Sequence, residues 1–110
     1  MTTEKLNEVI TAQLNLCRDL LIVKGQEYAL EEDRLLAFKK AAGVQGETPA
    51  QALCGMMAKH TVSVYDMAMS GNTYSEARWN EKITDSINYL LLLKALIMED
   101  KYEQHQDQNS

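Results

Sequence analysis

Proline occurs once in this chain and glycine five times. A sandwich or barrel of short strands needs frequent turns, and turns draw heavily on those two residues. Their scarcity argues for a few long elements, and so does an aromatic content of 6%, with a single Trp and a single Phe. Positive charge is also short: 11 Lys and Arg stand against 16 Asp and Glu, for a net charge of −5. Without clustered basic residues there is no general grip on a nucleic-acid backbone. Fully apolar runs such as Leu90–Leu93 stop far short of a membrane span. The opening MTTEKLNEVI has no basic segment leading into a long apolar one, so no secretion signal is read there. Cys17 and Cys54 are too few for a disulfide framework. Each lies in an apolar helical pattern and is read as a small buried core residue. The expectation is a cytoplasmic, reduced protein, with 110 residues folding as one domain.

What is present is helical periodicity. Leu6, Val9, Ile10, Leu14, Cys17, Leu20 and Leu21 recur at helical spacing from about Glu4 to Val23, with Thr2 or Thr3 as cap. Gly25 can end this helix. Asp33 can cap a short helix over Arg34–Ala42, closed by Gly43. Thr48 and Pro49 form a helix start, since proline's missing N–H does no harm in a first turn. The helix they open should reach about Ser70 and close at Gly71, with Leu53, Met56, Met57, His60, Val64, Met67 and Ala68 as its apolar stripe. Ser75 caps the last helix, read from Glu76 to about Glu99. The fold class expected is all-α: a compact bundle of three long helices and one short one. The domain spans 1–99, and the polar stretch 100–110 is read as a frayed tail.

The last helix carries the chemistry. Trp79, Ile83, Ile87, Leu90 and Ile97 fall on one side of it, and Glu81, Asp85 and Asn88 on another. Beyond Asn88 the polar side vanishes under Tyr89, Leu91, Leu92, Ala95 and Leu96. A helix apolar all round is buried all round. In so short a chain that points to self-association as a homodimer or homotetramer, with Leu91, Leu92 and Leu96 meeting the second subunit. Glu81 and Asp85, one turn apart, can share a Mg²⁺ ion, which takes hard oxygen ligands and keeps waters for a phosphate. Asn88 can add a neutral contact to metal or ligand. Glu27 and Glu31, near the end of the first helix, are candidates to complete the acidic set. Lys59, Arg78 and Lys82 are candidates for phosphate oxygens. The alternative is that Glu81 and Asp85 simply mark a solvated helix face with surface ion pairs. His60 is read as a hydrogen-bonded core residue. Lys59, Ser63 and Asp66 are read as a pocket wall or a surface face with an ion pair. Arg34 and Phe38 are read as a clip for the short helix.

The stretch EKITDSINYLLLL resembles the acid-bearing last helix of the MazG-like, all-α nucleoside triphosphate pyrophosphatases. The order of features is closer still to small phage and prophage proteins distantly related to that group. The matching pieces are Glu27–Tyr28, Arg34 and Phe38, Thr48–Pro49, Lys59–His60, and Trp79, Glu81, Asp85, Asn88 and Tyr89, spanning about Lys24 to Leu96. The chain departs from the family in lacking its Glu-x-x-Glu pair: Glu27 and Glu31 have three residues between them, and the helix from Pro49 holds only Asp66. The resemblance implies a nucleotide-handling fold. Its reaction would be Mg²⁺-dependent hydrolysis of a (d)NTP to (d)NMP and pyrophosphate. In that reaction Glu81 and Asp85 would hold metal, Glu27 or Glu31 would orient water, and Lys59 or Lys82 would stabilise phosphate charge. The alternative function is a non-catalytic helical oligomer that binds a host or phage protein.

Overall fold

The computed structural model describes residues 1–24 and 33–109, with side chains described as far as Lys101. Over these residues the chain is all-α, with four helices and no strand. Helix α1 spans Thr3–Arg18 and runs on into a π-helical turn, Asp19–Lys24. Helices α2, α3 and α4 span Leu36–Gln45, Pro49–Met69 and Glu76–Asn109. None is long and apolar enough to cross a membrane.

Three helix starts are where local chemistry puts them, but α2 begins at Leu36 with Leu35 as its cap residue and no side-chain cap bond. Asp33 accepts from the Leu35 N–H at 2.9 Å and so does not open a helix at Arg34. Thr2 accepts from the Lys5 N–H at 3.1 Å. Thr48 accepts from the Gln51 N–H at 3.2 Å, and the Gln51 side chain accepts from the Thr48 N–H at 2.9 Å. This reciprocal capping box, with Pro49 just inside it, satisfies amide donors that a helix start leaves free. Ser75 accepts from the Arg78 N–H at 3.1 Å. The stops differ from expectation at two places. Gly43 lies inside α2, and Gly46, at φ +68°, forms the left-handed cap instead. Helix α4 runs ten residues beyond the expected Glu99, to Asn109. That stretch holds no Gly or Pro and is rich in good helix formers.

The core is small and lies between α2, α3 and the second half of α4. Leu53 of α3 is fully enclosed and meets Leu35, Phe38 and Leu96, with Met56, Met57, Tyr89, Leu92 and Leu93 packed around them. Thus Leu92 and Leu96, expected to face another subunit, pack inside this chain. Leu90, expected to anchor the bundle, is 55% exposed. The helical period was read correctly, but the side of α4 that meets α3 is the Tyr89–Leu92–Leu96 side. Cys17 is buried and Cys54 is exposed on α3, which corrects the reading of both as core.

Arg34 does clip the short helix, donating to the Leu21 carbonyl of the π turn at 2.6 Å. Lys39 ties α2 to α4 through Asp33 at 2.6 Å and Glu99 at 2.7 Å. These bonds raise the Lys39 pKa above its ordinary value, the Asp33 bond first. The Asp33 carboxyl is lowered, chiefly by Lys39 and then by the Leu35 N–H.

Helix α1 joins the rest through one narrow seam. Its Gln13 amide donates to Thr84 of α4 at 2.8 Å and to the Cys17 sulfur at 3.4 Å. Leu21 and Ile22 share a cavity with Leu91, Leu92 and Ala95 farther along α4. The end of α1 also lies against the first turns of α4, where Leu16 and Leu20 share a cavity with Asn80 and Thr84. Of the apolar stripe read on α1, only Cys17 is buried. Leu6, Val9, Ile10, Leu14 and Leu20 are exposed, because no described residue of this chain lies over them.

Candidate functional site

Helix geometry places Glu81 and Asp85 one turn apart on α4, and both line a cavity of about 260 Å³. Its other wall comes from the end of α1, through Leu16, Asp19 and Leu20. Asn80 and Thr84 line the same space. Asp19 is therefore the described acid that shares the cavity with the pair, and it went unread in the sequence. It is exposed and lies at ordinary helical spacing from Leu16 and Leu20, so what sets it beside the pair is the packing of α1 on α4, which spacing does not give.

Glu81 is exposed and Asp85 is half-buried. Asp85 Oδ2 lies 3.9 Å from Nδ1 of His60 on α3, within ion-pair reach but beyond a hydrogen bond. The His60 ring packs on Tyr89, with centroids 4.9 Å apart. His60 is thus half-buried at the edge of the α3–α4 seam, where it neighbours an acid and an aromatic face. Asn88, one turn beyond Thr84, is only 5% exposed, yet both polar atoms of its side chain lack a partner among the described residues, and so does the Ser86 hydroxyl. Native structures leave few buried polar groups unpaired. Thr84, equally buried, is satisfied by Gln13.

The proposed phosphate-binding cations do not all gather here. Lys59 and Arg78 line a separate, open groove of about 610 Å³ between α3 and the start of α4, together with Ser63, Asp66, Ser70 and Tyr74. Lys59, Ser63 and Asp66 do form one wall, as their spacing implied. Arg78 lies over the Tyr74 ring at 5.6 Å, and Trp79 meets the same ring edge-on. The Tyr74 hydroxyl is lowered from its usual pKa by hydrogen bonds to Ser70 and Asn72, with the Arg78 charge contributing less. Lys82 is half-buried and lines neither cavity. Glu27 and Glu31 lie outside the described residues. Among the described residues no three His, Cys, Asp or Glu side chains stand close enough together to hold a metal ion.

Glu81, Asp85 and Asp19 thus bring carboxylates from two helices to one cavity that also has apolar walls, without converging on a single point. Compared with protein-family models, with curated proteins and with solved structures, the chain matches none.

Proposed function

We propose that this chain is a MazG-like, self-associating nucleotide-binding protein that hydrolyses a (d)NTP to (d)NMP and pyrophosphate with Mg²⁺. The observation that carries the reading is the cavity where Glu81 and Asp85 of α4 meet Asp19 of α1. Glu81 and Asp85 would hold the ion, and the oxygen-only donor set fits Mg²⁺. Bound there, Mg²⁺ supplies neutralisation of phosphate charge and a more acidic water. The chain's own carboxylates do the rest: Glu27 or Glu31 orients a water and takes its proton as it attacks phosphorus, and pyrophosphate leaves. Lys59, Arg78 and Lys82 are the cations offered to phosphate oxygens. Lys59 and Arg78 stand in their own groove, apart from the cavity of Glu81 and Asp85.

The test is release of pyrophosphate from a panel of NTPs and dNTPs with Mg²⁺. Asp85→Asn is expected to abolish release, and full activity in that variant would overturn the site assignment. The second reading is a non-catalytic helical protein that binds a host or phage protein. It is favoured by the exposed apolar stripe of α1. Absence of both pyrophosphate release and Mg²⁺-dependent nucleotide binding would select it.

A further inference from the structure

The groove between α3 and the start of α4 shares no lining residue with the cavity of Glu81 and Asp85. At about 610 Å³ it has room for a small molecule. Its α4 wall is held in place. The Tyr74 ring is fixed by its hydroxyl, 3.2 Å from the Ser70 Oγ, and by Trp79 set edge-on at 5.8 Å. Ser70 is itself anchored, donating to the Met67 carbonyl at 2.9 Å and accepting from the Asn72 N–H at 3.0 Å. Arg78 lies over that fixed ring at 5.6 Å. Stacking on an aromatic face steadies a guanidinium and leaves its N–H groups free for an oxyanion. Lys59 and Asp66 line the opposite wall, on α3. All three charged side chains are exposed, and none forms an ion pair with another or with any other described residue. Val62 and the buried Met67 supply apolar lining.

We infer that this groove binds a small zwitterion, an α-amino acid with an aliphatic side chain. The ligand's carboxylate meets Arg78 and Lys59, its ammonium meets Asp66, and its side chain rests on Val62 and Met67. This gives Lys59 and Arg78 a ligand of their own and does not rest on the hydrolysis proposed above. Asp66 decides the class. A free phosphate dianion would meet both cations but also face a carboxylate that it cannot bond, and like charges brought together cost affinity. A simple carboxylate leaves Asp66 equally unanswered. A simple ammonium answers Asp66 and faces two cations. A ligand that carries both signs answers all three charges. The Ser63 hydroxyl, on the same wall as Asp66, can donate to the carboxylate or accept from the ammonium.

Titration of the purified full chain with L-leucine and the other aliphatic amino acids, followed by amide NMR shifts, should give saturable changes at Ser63, Asp66, Tyr74 and Arg78. The compound 4-methylpentanoate is leucine without its ammonium, and isoamylamine is leucine without its carboxylate. Each should bind at least about tenfold more weakly than leucine, and so should inorganic phosphate. Arg78→Gln and Asp66→Asn should each weaken leucine binding by at least about tenfold. Absence of saturable shifts in the groove with leucine and every other aliphatic amino acid overturns the inference. So does 4-methylpentanoate or phosphate that binds as tightly as leucine, and so does unchanged affinity in both folded variants. If a variant does not fold, the comparison of leucine with its two analogues on the parent chain decides. Pyrophosphate release is read separately, so either proposal can fail while the other stands.

Discussion

Leu53 and Leu90 share a side chain and a helical setting, and the structure gives them opposite weights. Leu53 is wholly enclosed among Leu35, Phe38 and Leu96, whereas Leu90 is 55% exposed. Truncating Leu53 to Ala removes buried methyl groups and leaves a cavity that α2, α3 and α4 cannot all close. Such changes cost about 2–5 kcal/mol, and the full enclosure of Leu53 places it at about 3. For a domain of this size that lowers the melting temperature by roughly 12–24 °C. Leu90→Ala forfeits at most about half the transfer energy of a leucine, under about 1 kcal/mol. The slightly better helix propensity of Ala offsets part of that loss. Thermal and urea unfolding followed by circular dichroism would measure both. Losses within about 0.5 kcal/mol of each other would refute the packing described for α4, and a larger loss at Leu90 would restore the orientation read from periodicity alone.

Asn88→Leu removes a buried amide with no partner among the described residues at either polar atom. It is expected to raise stability by about 1–2 kcal/mol, and a clear fall in melting temperature would show that the amide is paired after all. The Lys39 tie predicts a pH dependence whose sign follows from its two shifted partners. Asp33 has a lowered folded pKa, so its contribution is present above the ordinary carboxylate value, about 3.9, and is lost as pH falls through the lowered one. Lys39 has a raised folded pKa, so its contribution is complete below the ordinary lysine value, about 10.4, and is lost as pH climbs through the raised one. Lys39→Met should therefore destabilise most between those limits and differ little from the parent chain at about pH 2. An equal difference at both pH values in urea titrations would contradict the assignment.

The parts of the fold legible in the sequence were those set by neighbours along the chain. Thr48, Pro49 and Gln51 declare a helix start because all three atoms of the capping chemistry lie within one turn. Ser75 and Thr2 work in the same way. Periodicity found every long helix, since the apolar spacing repeats over several turns. It could not say which neighbour each face meets. Leu90 and Leu96 are both apolar and both regularly spaced, and only the position of α3 decides between them. The stripe on α1 was legible as apolar but its exposure was not, because burial depends on what else the chain has to offer. The acidic cavity was half legible: Glu81 and Asp85 declare themselves by one-turn spacing. Asp19 joins them through the packing of α1 on α4, which spacing along one helix does not give.

The seam between Gln13 and Thr84 joins positions 71 residues apart in the chain. A ribosome adding about 5–20 residues each second takes roughly 4–14 s to travel that distance. Throughout that interval α1 has already been made, and the part of α4 it rests on has not. Helix α1 is thus made seconds before its seat on α4, and for that interval even Cys17, enclosed in the folded chain, is open to whatever lies beside the nascent polypeptide.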